Sequence, residues 1–552
     1  MIKYIYRALI IVLLLCSTTI SKAQNPKHEI RGVWLTTIYG LDWPKKSASN
    51  SSEAEKQKAE LCKIFDMLKE MNMNTVFFQT RLRSDVLYNS DIEPYNAIMT
   101  GVRGKKPSYD PLAFAIEECH KRGLQCHAWI VCMNVGSEKA VKSQGATSLP
   151  KQRPEICKKY QGEWYLNPGE PETCFYLTDI VSEIIKKYRV DGIHLDYIRY
   201  PDRAHDFPDN DTYKKYAKQG ESLKEWRINN INKIVYSIFD VVKKHNPEIM
   251  VSSAVLGKRD NHSIYSSMGW SGIEAVYQDV AAWLKAGKQD FVAPMMYYNN
   301  CDFYPFAKDW VKHSNGYPIV AGLGAYRLNK SDGNWSLRDI MPQIYECREF
   351  GIAGSSFYRM RQIEENAKEI STHLKAETYS TPALFPPMKN HKQKDDVLPY
   401  NLNISYENDG SKTITWESDG NVKYYTLYSS DTYPVDIDKV ENILEPRLKS
   451  NKYKHYGSDL YYAVTATNSY YYESEEAQQL RPSLTFKENE KIIIPDNKLN
   501  SCKNVSIYTP SNTCVYYTKE LNESNRPILE RGIYQLKITY SDFVEIYPLI
   551  IN

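Results

Sequence analysis

From Glu29 onward, short apolar runs alternate with longer stretches whose apolar residues recur at helical spacing, and this pattern holds to about residue 374. Strands are predicted to begin near Ile30, Thr75, Leu124, Val190, Ile249, Phe291, Ile319 and Ile352. Between them, Ser52 and Glu55 read as a capping box ahead of the stripe Leu61, Ile64, Phe65, Leu68 and Met71. Asp110-Pro111 opens a second helix with Leu112, Ala115, Ile116 and Cys119 as its buried face and Gly123 as its stop. A third helix from about Phe175 to Tyr188 leads into the fourth strand. Eight strands separated by helices, with no Gly-rich nucleotide-binding turn after the first, predict an α/β fold of the (β/α)8 barrel type rather than an open sheet.

Near residue 375 the pattern changes. Thr381-Pro382, Pro386-Pro387 and the polar run His391 to Asp396 carry neither period, so residues 376–400 read as a linker. Short alternating runs follow at Thr413 to Trp416, Tyr424 to Tyr428 and Tyr461 to Asn468. They predict a β-sandwich over 401–480, resembling a fibronectin type III module with Trp416 as core tryptophan and Tyr462 in a late strand. Runs such as Ile492 to Ile494 and Tyr534 to Thr539 predict a second small β module over 481–552. The barrel is assigned to 27–375.

At the other end, Lys3 and Arg7 precede an apolar run from Ala8 to Cys16, and Ser21-Lys22-Ala23 supplies small residues before a cut ahead of Gln24. Residues 1–23 therefore read as a secretory signal, placing the protein in the periplasm, cell envelope or medium. Cys16 as a lipidated terminus is the alternative, disfavoured by the bulk of Leu15. The run is shorter than the ~18 apolar residues of a membrane span, and no later stretch approaches that length. Across 552 residues the net charge is +3 with Lys and Arg dispersed, which gives no basis for nucleic acid as a partner. Protein partners are not indicated, and no cofactor motif is present. Cysteines show no paired spacing that suggests zinc; Cys502 and Cys514 flank a short polar turn and are the one place where a local disulfide is expected. Tyrosine is abundant, at 44 copies beside 10 Trp, and such rings present flat apolar faces on which sugars stack.

The most informative segment is Val190 to Pro201, VDGIHLDYIRYP, where an apolar strand ends in ionisable side chains. Alternation puts Ile193 and Leu195 on one face and His194 and Asp196 on the other. In a barrel the first pair faces the helices and the second points inward at the catalytic end. Arg31-Gly32-Val33-Trp34-Leu35, Leu41-Asp42-Trp43-Pro44, Phe77-Phe78-Gln79-Thr80-Arg81, His127-Ala128-Trp129, Leu166-Asn167-Pro168-Gly169 and Asp191 to Pro201 follow one another in order. Together these motifs resemble glycosyl hydrolase-like family 10, a group of exported bacterial (β/α)8 proteins. One departure is the segment Ile130-Val131-Cys132-Met133-Asn134, where many members carry an Asn-Pro-Tyr-Arg type sequence. The resemblance implies hydrolysis of O-glycosidic bonds in a polysaccharide, with bacterial cell-wall glycan a recurring suggestion.

That chemistry needs one carboxylate beneath the anomeric carbon and a protonated acid at the leaving oxygen. Asp196 takes the first role, as nucleophile or base. For the second, Glu93 ranks first and Asp85 next, both in the long loop after strand two; Asp42 and Asp260 are further loop carboxylates. Gln79 and Arg81 are placed to bind hydroxyls or a carboxylated substituent, and His127 and His194 are candidates for a hydroxyl contact. Arg199 either holds Asp196 ionised or forms a structural ion pair. Trp34, Trp129, Tyr197, Tyr297 and Tyr298 are candidates for stacking. Two rival classes remain: a silent glycan-binding barrel, and a metal-dependent hydrolase in which His127, His194 and Asp196 ligate a divalent ion.

Overall fold

The computed structural model describes residues 25–261, 270–389, 397–407, 409–459, 461–479, 484–494, 502–511, 513–522, 525–541 and 544–552. The expected signal at 1–23, the Cys16 alternative and the polar run 391–396 lie outside them. Two compact units are present, Met1–Asp395 with Glu445–Leu448 and Thr467–Tyr472, and the remainder of the chain from Asp396.

In the first unit eight parallel strands close into a barrel in sequence order. They are β1 Ile30–Leu35, β2 Thr75–Arg81, β3 Gln125–Val131, β4 Gly192–Asp196, β5 Met250–Leu256, β6 Phe291–Met295, β7 Val320–Leu323 and β8 Gly354–Phe357. Closure runs through Ile30 to Val33 on β1 against Gly354 to Phe357 on β8. Each strand starts within a few residues of its predicted position. β4 begins at Gly192 rather than Val190, and Asp191 just before it accepts the Cys126 backbone N–H on its carboxylate at 2.8 Å. Val33, Leu35, Val76, Phe78, Ala128, Ile130, Ile193 and Leu195 form the layer between strands and helices, each of the larger side chains contributing about 1.5–3 kcal/mol.

Helices α1 (Ser51–Glu70), α2 (Pro111–Lys121), α3 (Pro171–Lys187) and α4 (Leu223–His245) lie among those that surround the barrel. Asp110 caps α2 as the sequence suggests, accepting from the N–H groups of Leu112 and Ala113. The capping box expected at Ser52 and Glu55 is displaced. Asn50 is the N-cap of α1 and accepts from Glu53 N–H, while Ser49 N–H reaches back to the Glu53 carboxylate at 2.6 Å. An element not foreseen is a three-stranded antiparallel sheet between β3 and α3, ordered Asn134–Ser137, Glu163–Leu166, Cys157–Tyr160. It leaves β3 at the same end as the last residues of the barrel strands and brings Asn134 to the site described below.

The C-terminal part is all β. A three-stranded sheet (Leu398–Tyr406, Lys412–Asp419, Lys452–His455) and a four-stranded one (Ile443–Leu448, Tyr424–Ser430, Tyr461–Thr467, Ala477–Gln478) bury Trp416 and Tyr462. A five-stranded sheet made from Leu484–Phe486, Val544–Ile551, Gly532–Thr539, Asn504–Tyr508 and Cys514–Thr518 follows. Ile492 to Ile494 is not one of its strands, although Ile492 and Ile494 fill its core beside Val505, Leu536 and Leu549. The disulfide expected between Cys502 and Cys514 is not formed, because Cys502 packs against that core while Cys514 is exposed on its strand, and both thiols are free. Among the described residues no helix is long and apolar enough to cross a membrane.

Candidate active site

β4 ends on Asp196, whose side chain is 5 % exposed and forms part of the wall of a cavity of about 350 Å³. Trp34 from β1, Trp129 from β3, Tyr197, Tyr297, Tyr358 and Asn134 share that wall, and among the described lining residues Asp196 is the one carboxylic acid. The backbone turns sharply at Tyr197, which takes left-handed φ of 49°. That turn lets Tyr197 N–H donate to Oδ1 of Asp196 at 2.7 Å, while Trp129 Nε1–H donates to Oδ2 at 3.1 Å. Both carboxylate oxygens are thus held by fixed donors. Burial nevertheless pushes the Asp196 carboxyl up from 3.8 to about 6, opposed by Tyr197 N–H, the positive charge of Arg199 and the Trp129 indole. Tyr297 and Tyr358, which follow β6 and β8 on either side of β7, stack on one another at 5.5 Å on the cavity wall.

Beneath Asp196 the interior is closed by rings. Trp34 Nε1–H donates to Nε2 of His194 at 3.0 Å, so Nδ1 carries the His194 proton and donates to Ser252 Oγ at 2.9 Å. His194 stacks on Phe77 at 4.0 Å, and His127 meets Phe77 and Phe291 edge-on. Burial holds both histidines neutral, His127 down to about 4 and His194 well below the ordinary imidazole range. Gly192 is required here, since a Cβ at that position would stand 2.2 Å from His127 Nδ1. His127, bonded through Nε2 to Gln125, and His194 lie below the cavity rather than on its wall. The metal-ligand set His127, His194 and Asp196 does not assemble; among the described residues no three His, Cys, Asp or Glu side chains gather around a point fit for a metal ion.

The other carboxylates named from sequence occupy different surroundings. Glu93 is engaged by Arg81 in a buried two-pronged ion pair at 2.6 and 2.8 Å and accepts the Tyr176 hydroxyl at 2.6 Å. Arg81 also donates to the backbone oxygens of Val131 and Cys132, locking the loop after β2 to the end of β3. Asp42 accepts from the Thr36 hydroxyl and N–H, from Arg361 N–H at 3.0 Å and from Arg359 at 3.3 Å, tying β1 to the segment after β8; burial raises it to about 6. Asp85, also raised to about 6 by burial, accepts from Asn96 at 2.8 Å and lines a second cavity next to the first. Asp260 accepts its neighbour Asn261 N–H in a turn. Gln79 reaches the cavity wall with its Oε1 accepting from the N–H groups of Thr37 and Ile38. Arg199 donates to Asp202 at 2.8 Å and lies over the Tyr197 ring, acting on Asp196 through its charge rather than by contact. Tyr298 packs against Phe306 away from the wall.

Residues 29–334 match the family model described as Glycosyl hydrolase-like 10. The chain belongs to this family. Relatives named as glycosyl hydrolases agree with that: YngK of Bacillus subtilis (strain 168) is 28% identical over 434 residues, 74% of this chain and 84% of its own length. DigH of Escherichia coli (strain K12) is 30% identical over 348 residues, 58% of this chain and 79% of its own. Among solved structures, the glycoside hydrolase domain of PgaB from Bordetella bronchiseptica aligns with a TM-score of 0.44 and 14% identity, covering 63% of this chain and 98% of that domain.

Within this glycosyl hydrolase-like 10 barrel, the wall residues that escaped the sequence reading include Tyr39, Arg83 and Asn134. Tyr39 stands 74 % exposed at the cavity mouth on a three-residue turn after β1, with left-handed φ of 56°. Arg83 follows β2 and donates to the Tyr39 hydroxyl at 3.3 Å. Asn134, which falls on the segment where the chain departs from the usual family sequence, keeps a buried Oδ1 with no partner. A Tyr-Gly pair directly after the first strand was the one available signal for Tyr39.

Proposed function

We propose that this family member is an exported glycoside hydrolase that cleaves O-glycosidic bonds of a polysaccharide, bacterial cell-wall glycan being the first substrate to test, with Asp196 as nucleophile or base. The observation that carries this reading is a lone desolvated carboxyl on an aromatic cavity at the end of a barrel, the place where barrel enzymes keep their chemistry. Two N–H donors on its oxygens favour the ionised form and fix its direction, while burial keeps it basic enough to attack or to take a proton near pH 6. An oxocarbenium-like transition state beneath which that carboxylate sits is stabilised by its charge. Trp34, Trp129 and Tyr297 give the cavity an aromatic wall suited to a sugar ring, and Asn134 stands on the same wall. The paired three- and four-stranded sheets with inward Trp416 and Tyr462 support a fibronectin type III-like reading of the module after the barrel.

The test is release of new reducing ends by purified protein and by Asp196→Asn from peptide-free peptidoglycan strands and a panel of plant and microbial polysaccharides. Release by the wild type, reduced at least ~1,000-fold in the variant, is expected. Equal release by both proteins removes Asp196 from the chemistry. Binding without release by either makes the barrel a glycan-binding one.

A further inference from the structure

Beside the Asp196 cavity lies a second one of about 380 Å³, and Ile38, Tyr39, Leu82 and Arg83 belong to the walls of both. Each volume suits a small ligand. The shared wall is a ridge topped by Tyr39, whose ring is open to solvent while its hydroxyl edge is pinned by Arg83. A bulky residue kept in the left-handed region with its face uncovered is costly to hold for no contact. Each wall also includes an amide residue whose buried side-chain oxygen has no partner, Asn134 in the first and Gln144 in the second. Both call for a ligand that brings hydroxyl or amide N–H donors. The two charged groups on the second wall, Arg83 and Asp85, are of opposite sign, and Ile98, Ala97 and Val135 give it an apolar side. Apolar faces, donor-seeking acceptors and balanced charge together describe the surface of an uncharged pyranose ring.

We propose that the second cavity is a sugar subsite: the polysaccharide continues from the Asp196 cavity across the ridge, and Tyr39 carries the next uncharged sugar residue on its exposed face. This rests on the glycosidase reading for the identity of the chain being bound, and its consequence is a preference for long strands over short ones.

The experiment compares kcat/KM for long peptide-free peptidoglycan strands with that for a tetrasaccharide cut from them, repeated with whichever polysaccharide of the panel is cleaved. Tyr39→Ala and Ala97→Trp, the second of which fills the cavity, are each expected to lower the long-to-short ratio about tenfold. Tyr39→Phe, which keeps the ring face, is expected to hold the ratio within about twofold of wild type. An unchanged ratio in Tyr39→Ala at a wild-type melting temperature overturns the subsite and leaves the glycosidase reading standing. If the wild type cleaves nothing, affinity electrophoresis in gels containing the same polysaccharides decides: retardation that weakens in Tyr39→Ala supports the subsite on a non-catalytic barrel. Retardation equal in wild type and Tyr39→Ala, or no retardation at all, overturns the subsite.

Discussion

Replacing Asp196 by Ala is expected to make the protein more stable relative to wild type as pH rises, even as it removes the proposed catalytic group. In the folded protein burial lifts this carboxyl from 3.8 to about 6. As pH rises the unfolded chain loses its proton first, so between roughly 4 and 6 the native state binds more protons and stability falls with pH; above that window the loss is complete. A shift of about two units at 1.36 kcal/mol per unit gives ~3 kcal/mol. The same shifts at Asp42 and Asp85 act on wild type and variant alike and cancel in the difference. So does any pH-independent cost of freeing the N–H groups of Trp129 and Tyr197. The assay is urea unfolding followed by tryptophan fluorescence at pH 4 and pH 7.5; every tryptophan except Trp416 lies in the barrel unit. The variant should gain about 2.4 kcal/mol on wild type between the two pH values, the remainder of the ~3 kcal/mol lying below pH 4. A difference that is constant, or that moves against the variant, would show that the donors on its oxygens balance or outweigh desolvation and would refute the reasoning.

The Arg81–Glu93 pair gives a second test, because Glu93→Ala strands a buried guanidinium and should cost about 3–5 kcal/mol in urea unfolding; a stable variant with lost turnover would instead assign Glu93 to catalysis. Gly192→Ala forces a methyl group into the His127 ring and should cost about 1–3 kcal/mol, with melting unchanged counting against the tight contact on the barrel floor.

The barrel was legible because its strands and helices repeat two periods that need no tertiary information: Ile193 and Leu195 alternate with His194 and Asp196, and α2 declares its start with Asp110-Pro111. Asp196 stood out for a related reason, an ionisable group ending an apolar run. Its environment was not legible. Nothing local to Glu93 reveals that Arg81, twelve residues earlier, closes on it, or that Tyr176 arrives from α3. Asp42 has the spacing of a loop carboxylate, yet Thr36 and Arg361 enclose it from two ends of the barrel unit. Tyr39 depends on a left-handed turn, and a single residue in that conformation leaves no periodic trace. The sheet after β3 is made of strands only four residues long, too short for alternation to show.

The neutral rings below the cavity determine how simply the site can answer to acidity. With His194 fixed as acceptor from Trp34 and donor to Ser252, and His127 losing its proton near 4, neither imidazole changes charge over the interval in which Asp196 does. The floor therefore adds no charge of its own beneath Asp196 over that interval. In the glycosidase reading, a variant that displaces the midpoint of the acidic limb must act through what touches or faces Asp196, or through the buried carboxyls of Asp42 and Asp85 that rise to the same range, since the histidines beneath have no charge to lend.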